Sequence, residues 1–338
     1  MSLQHLRKFV PITQSDMARI LVSGGGSIGA RHARNIQAIA LGEVTISEPD
    51  AARRAVLQKE FGVVIEPDYE AALAAQQPDI VFVCSPTGLH VPQARAALRA
   101  GAHVFIEKPL SHSMEGIAEL VQEATQAKRM VMVGCNMRFH PGPATVKRLV
   151  DDGAIGDPIA ARIVTGSYLP AWRPHQDYHK SYSASPEQGG AVLDCIHEID
   201  LALWYFGPAS VQSAAVLPAH SIGLETDGLA EILLQHASGV LSSVHLNFIQ
   251  REQRRSCHII GTEGSLLWDI CTGAVEHFGA DGLVVEVHAQ PQSWDMNQMY
   301  IQELEHFRDA INNGIVPFSS LKEAVQALRI ALDVRQST

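Results

Sequence analysis

The chain has 338 residues, a formal charge of −10 and five scattered cysteines, Cys84, Cys135, Cys195, Cys257 and Cys271. That length predicts roughly two domains. The acidic charge has no block of like sign, which argues against nucleic acid or an anionic membrane surface as a partner, and no apolar run reaches a membrane span. Cysteines without a Cys-x-x-Cys pair fit a reducing cytoplasm and no zinc pattern. An N-terminus lacking an apolar signal core points the same way, so the expected compartment is cytoplasmic. His175 and His179 have ligand-like spacing, but Pro174 works against a helix there, and no metal is expected.

Residues 1–17 read as a short lead-in. A buried strand over 20–22 then runs into Gly24-Gly25-Gly26-Ser27-Ile28-Gly29, followed by a helical pattern to residue 39. Gly24, Gly26 and Gly29 form the G-x-G-x-x-G fingerprint in its required strand–turn–helix setting. The first glycine permits the tight turn, the second lets a pyrophosphate approach, and the third lets helix pack on strand. Backbone N–H groups at the helix start, around Ser27 and Ile28, suit phosphate.

A second strand over 44–47 ends at Glu48, about 20 residues beyond the fingerprint, where an acidic side chain binds ribose hydroxyls. Glu48 would repel a 2′-phosphate, so the expected cofactor is NAD rather than NADP. Arg53 and Arg54 read as a solvated helix face.

Alternation continues: a helix over 51–61, a strand over 63–65, a helix over 69–76 and an apolar strand over 80–84. That strand leads into Ser85-Pro86-Thr87-Gly88-Leu89-His90, where Ser85, Pro86, Thr87 and His90 are expected to cradle the cofactor. A helix over 90–99 is capped by Gly101. The strand over 104–106 stops abruptly at Glu107-Lys108-Pro109. Ligands of open α/β sheets bind beyond the carboxyl ends of strands. Lysine there can steady charge or move a proton. A helix over 114–128 and a strand over 130–133 complete a doubly wound parallel sheet.

The glycine-rich segment with Ala30-Arg31-His32, the Ser85–His90 segment and Glu107-Lys108-Pro109 occur in an order and spacing that resemble the Gfo/Idh/MocA family of oxidoreductases. Gly134-Cys135-Asn136-Met137-Arg138-Phe139-His140-Pro141 resembles that family's crossing into its second domain. The resemblance implies a Rossmann domain over 1–136, a substrate and oligomerisation domain over 137–338, and a site in the cleft between them. The C-terminal helix could pack back on the first domain. The resemblance also puts Glu107 and Lys108 at the cofactor and Arg138 at the substrate.

In the second half, 146–150 ends a helix and 158–168 alternates as a strand. The following stretch, Leu169 to His179, is rich in aromatic and hydrogen-bonding groups. Tyr168, His175, Tyr178 and His179 suit a polyhydroxylated ligand, and the resemblance places Trp172 and Arg173 near the nicotinamide. Gly189-Gly190 precedes a helix over 191–206. On a continuous helix Asp194, His197, Leu201 and Trp204 share one face. An imidazole beside a carboxylate on a buried face is a plausible general base. The family's inositol dehydrogenases space this pair as Asp-x-x-x-His; here it is one residue shorter.

Strands over 213–217, 229–236, 240–248, 256–261, 265–270, 274–278 and 283–288 predict a large, mostly antiparallel open sheet, closed by helices over 296–313 and 321–335. The expected function is hydride transfer between a nicotinamide and a secondary alcohol or ketone of a sugar or polyol. His197 is the base, Asp194 its partner and Lys108 the cation at the same oxygen. The alternatives are a non-catalytic cofactor-binding sensor and an NAD-dependent glycosidase. The resemblance implies a homodimer or homotetramer built through the second sheet.

Overall fold

A computed structural model of the chain describes residues 17–337. The lead-in expected over 1–17 lies, apart from Met17, outside the described residues. The chain forms two compact units: one runs to Gly134 and takes in Asn297–Val325, the other holds Cys135–Met296 and the residues from Gln326 onward.

The first unit is built on six strands: β1 (Ala18–Ser23), β2 (Gly42–Ser47), β3 (Val64–Glu66), β4 (Ile80–Val83), β5 (His103–Glu107) and β6 (Val131–Gly134). Their order is β3-β2-β1-β4-β5-β6, and the pairings are parallel. Every residue of β4 and β5 is buried, as strands covered on both faces require, and this is why they read as continuous apolar runs. Helices α1 (Ser27–Ala38), α2 (Ala51–Phe61), α3 (Tyr69–Gln76), α4 (His90–Arg99) and α5 (Ile117–Ala127) connect them.

The helix expected from residue 114 begins three residues later, because Gly116 takes a left-handed conformation at its N-cap with φ +71°. The strand order reverses between β1 and β4, the switch point at which such sheets bind ligands. A helix from late in the chain, Met296–Asn313, belongs largely to this unit. Its Phe307 ring packs at 5.7 Å from Phe105 and 6.1 Å from Phe82, and Asn297 exchanges amide hydrogen bonds with Asn35. Each buried phenylalanine contributes about 1.5–3 kcal/mol.

The second unit begins with α6 (Pro141–Asp151) and carries an eight-stranded sheet. Its strands are β7 (Pro158–Tyr168), β8 (Ala209–Pro218), β9 (Asp227–His236), β10 (Leu241–Asn247), β11 (Ile249–Gly261), β12 (Ser265–Asp269), β13 (Val275–Phe278) and β14 (Val284–His288). The order is β14-β13-β12-β11-β7-β10-β9-β8, antiparallel throughout except for β7 beside β10. In β7, Ala161, Ile163 and Thr165 are buried while Ala160, Arg162 and Val164 are not, the alternation of a sheet with one covered face.

The helix expected over 191–206 is not continuous. Beyond the short helix α7 (Leu169–Trp172), it breaks at Cys195 into α8 (Ala191–Asp194) and α9 (Ile196–Phe206). The shared-face argument for Asp194 and His197 therefore fails. They sit on either side of a break: Asp194 ends one short helix and His197 lies in the first turn of the next.

Candidate active site

In the first unit the glycine-rich turn shows why each glycine is there. Gly24 has φ +90°, and a Cβ on it would lie 2.8 Å from the Cys84 carbonyl. A Cβ on Gly29 would come within 1.9 Å of the Gly24 carbonyl. A Cβ on Gly26 would meet nothing within 4 Å. Gly26 is also the N-cap of α1 and offers no side chain to its first N–H groups. Open space beside uncapped N–H donors is what a pyrophosphate needs. Gly26 and Ser27 are exposed, while Ile28 is half-buried.

Glu48 follows β2 directly, with one oxygen accepting the Gly25 N–H at 2.8 Å and the other the Asp50 N–H at 2.9 Å. The carboxylate is thus held beside the glycine turn. Arg53 and Arg54 are folded onto the same loop: Arg53 Nε donates to the Gly25 carbonyl at 2.6 Å, and Arg54 to the carbonyls of Glu48 and Pro49.

After β4, the Ser85 hydroxyl donates to Gln93 at 2.7 Å, Pro86 is exposed and Thr87 is buried in a single 3₁₀ turn. His90 departs from expectation. Its Nδ1 lies 2.8 Å from the Pro109 carbonyl and its Nε2 2.8 Å from the Ser85 carbonyl, so both ring nitrogens are taken up inside the protein. It positions the cradle and leaves no ring nitrogen for the cofactor.

Glu107 also turns inward. One oxygen lies 2.6 Å from His32 Nε2 and the other accepts the Lys108 N–H at 3.1 Å. His32 is fully buried among Phe82, Phe105 and Tyr300. The pair ties the glycine-turn helix to the lysine segment, so Glu107 anchors this segment instead of facing a ligand. Lys108 itself is half-buried at the carboxyl end of β5.

In the second unit Asp194 and His197 are both more than nine-tenths buried. The charge of Asp194, with burial, pushes the Tyr182 phenol well above its usual pKa. The packing behind this is tight: a Cβ on Gly189 would lie 2.2 Å from the Tyr182 carbonyl, and Gly190 N–H donates to the Ser183 carbonyl at 3.0 Å. The start of α8 is held by Asp227, which accepts the Val192 N–H at 2.8 Å. Tyr182 and Asp227 carried no sequence signal, since neither has a periodic relation to Asp194.

Arg138 was expected at the substrate and is not available to it. It is 1% exposed and makes a two-pronged pair with Asp200, Nη2 to Oδ1 at 2.6 Å and Nε to Oδ2 at 2.9 Å. Arg255 similarly meets the buried Glu198 at 2.7 Å. Tyr178 is another correction. Its hydroxyl donates to the Ile222 carbonyl at 3.0 Å, and its ring packs against the buried cluster that includes Leu169, Ala191 and Phe248. Tyr168 lies under the Arg251 guanidinium at 3.9 Å. Trp172, Arg173, His175 and His179 are exposed, with Trp172 Nε1 donating to Ser167 and His179 paired with Asp177. Among the described residues no group of three or more His, Cys, Asp or Glu is arranged for a metal ion, and no helix is long and apolar enough to cross a membrane.

A parallel sheet with an open glycine turn at its switch point and an acidic residue just after the second strand defines a dinucleotide-binding domain. Residues 18–135 match the oxidoreductase family described as having an NAD-binding Rossmann fold, and residues 144–267 match the GFO/IDH/MocA C-terminal domain. The chain belongs to the Gfo/Idh/MocA oxidoreductase family. It is 28% identical to inositol 2-dehydrogenase of Rhizobium meliloti over 91% of this chain and 93% of that protein. It is 29% identical to 1,5-anhydro-D-fructose reductase of Ensifer adhaerens over 76% of each. Levoglucosan dehydrogenase, solved with NADH and levoglucosan, shares the fold with a TM-score of 0.85 at 21% identity, over 95% of this chain and 96% of that one.

Proposed function

We propose that the protein oxidises a secondary alcohol of a sugar or polyol, or reduces the corresponding ketone, with NAD as the redox partner. The relatives named above are dehydrogenases and reductases of such compounds, which supports turnover over a sensor role. The observation that carries the reading is the placing of Lys108. It leaves the carboxyl end of β5, one strand from the switch point, on a segment anchored through Glu107 to the helix of the glycine turn.

In this reading NAD supplies the hydride acceptor or donor. Gly24, Gly26 and Gly29, with the N–H groups of Ser27 and Ile28, hold its pyrophosphate, and Glu48 takes its adenine-side ribose. Ser85, Pro86 and Thr87 line the cradle, with Trp172 and Arg173 at the nicotinamide end. His197 takes the alcohol proton in oxidation and returns it in reduction. Asp194 orients the ring, and Tyr182 holds Asp194. The Lys108 ammonium steadies charge on the substrate oxygen that reacts. Tyr168, His175 and His179 choose the substrate.

We also propose a cytoplasmic homo-oligomer formed through the open face of the second sheet, where Leu217, Leu241 and Ile260 stand exposed. Sedimentation would measure its size.

The test is a panel of polyols and sugars incubated with NAD+, read by NADH absorbance. On a substrate so found, Lys108→Ala should cut turnover by about two to four orders of magnitude while NAD+ binding persists. Full activity in that variant would overturn the assignment of Lys108.

A further inference from the structure

His90 raises a question of proton counting. Both its ring nitrogens face backbone carbonyl oxygens at 2.8 Å, Pro109 at Nδ1 and Ser85 at Nε2. A carbonyl only accepts, and a neutral imidazole has one N–H to give. Both bonds exist together only in the imidazolium. In the neutral ring one nitrogen turns a lone pair toward a carbonyl, and that contact must open.

The two carbonyls belong to the two segments that matter most in this unit. Ser85 begins the cradle after β4, and Pro109 follows Lys108 directly. The charged groups that bear on the ring are Glu107, which favours its proton, and Lys108, which opposes it. On the helices packed around α4 the nearby titratable groups are otherwise engaged. Glu123 of α5 is paired with Arg95, and Tyr69 of α3 donates to the Gln93 carbonyl. The ring is 2% exposed, and burial, above all, lowers its pKa below the usual value. Near neutrality the proton is therefore readily lost and one tether opens.

We propose that His90 is a positioning residue whose second proton fastens the cofactor cradle to the lysine segment. Cofactor binding orders both segments, and so draws that proton onto the ring. This rests on the NAD-dependent reading above and adds a linkage to it: NAD+ binding takes up a proton and tightens as pH falls. The pyrophosphate of NAD+ keeps its charge across this range and cannot supply the effect.

The experiment is calorimetric titration of the intact protein with NAD+ between about pH 8 and about pH 5.5, in buffers of different ionisation enthalpy. One closed hydrogen bond corresponds to an affinity gain of about fivefold. The expected result is net proton uptake and a gain of that order at the acid end, both absent in His90→Gln. Binding by the wild type without proton uptake, or equal uptake in His90→Gln, would overturn the proposal and leave the cofactor reading intact. No NAD+ binding at any pH would overturn both. Because His90→Gln could fold poorly, ¹⁵N-histidine spectra of the wild type give a second measurement. Both His90 nitrogens should carry protons in the NAD+ complex; a bare nitrogen there would refute the tether.

Discussion

Arg335 Nε lies 3.0 Å from Asp227 Oδ1, and the other oxygen of that carboxylate caps α8, the short helix that ends in Asp194. The same guanidinium donates to the Glu187 carbonyl at 3.1 Å and to that of Pro186. One side chain near the C-terminus thus holds both the loop before Gly189-Gly190 and the cap of α8. Arg335→Ala leaves a mostly buried carboxylate without its counter-charge and should destabilise the protein by about 3 kcal/mol, read as a lower urea midpoint.

The sign of the pH effect follows from Asp227. Burial raises its pKa against the pull of the Val192 N–H and Arg335. A raised carboxyl costs stability while ionised, and regains it as pH falls through the folded pKa. Without Arg335 that pKa rises further. The deficit of Arg335→Ala should therefore shrink as pH drops through the acidic range above 3.8. A constant deficit would show that the carbonyl bonds, not the ion pair, carry the effect.

Arg138 and Asp200 form a pair with side chains 0% and 2% exposed, and Arg138 also stacks over Trp204 at 5.4 Å. Breaking a buried pair from one side typically costs about 3–5 kcal/mol, whereas replacing both partners by apolar groups of similar volume is often neutral. Arg138→Met should lower the denaturation midpoint strongly, and Arg138→Met with Asp200→Leu should recover most of it. If Arg138 served the substrate instead, the single variant would raise KM with little loss of stability.

Glu48 holds its carboxylate against the Gly25 and Asp50 N–H groups, where a 2′-phosphate would meet its charge. At a protein surface such a like-charge contact is worth roughly 1–2 kcal/mol, or about five- to thirtyfold in affinity. Glu48→Gln keeps an acceptor for one of the two backbone N–H groups and should narrow the preference for NADH over NADPH by that factor, measured by fluorescence titration. Arg53 and Arg54 would then be the nearest cations to the phosphate.

The parallel sheet, the glycine turn and most strands of the second sheet were legible in the sequence because each rests on a local pattern: apolar runs at β4 and β5, glycines at fixed spacing, period-two alternation in β7. What escaped reading depends on contacts distant in sequence. Nothing near Arg138 announces Asp200, 62 residues on. The break at Cys195 is invisible to periodicity, since the residues on both sides are buried whatever their phase. His90 and Glu107 lie close in sequence to Ser85 and Lys108. The partners of His90 are two backbone carbonyls and that of Glu107 is a buried histidine, and residue type alone cannot reveal which way a side chain turns.

His140 carries the clearest pH dependence outside the site. Its ring is 1% exposed, lies between Trp268 and Trp294 at centroid distances of 5.3 and 4.5 Å, and accepts the Gly142 N–H at Nδ1. Burial, with the charge of Arg255, lowers its pKa to about 4. The fold therefore favours the neutral ring. Below the usual value of 6.5 the unfolded chain gains a proton that the fold refuses until about pH 4, so stability falls across that window as pH is lowered. At 1.36 kcal/mol per unit the loss approaches about 3 kcal/mol. His140→Asn keeps an acceptor for the Gly142 N–H and removes the titration. It should start less stable, having lost the contacts with both tryptophans, yet lose less between about pH 7 and about pH 4.5 than the wild type. Parallel stability curves for the two proteins would show that the acid sensitivity lies in other groups.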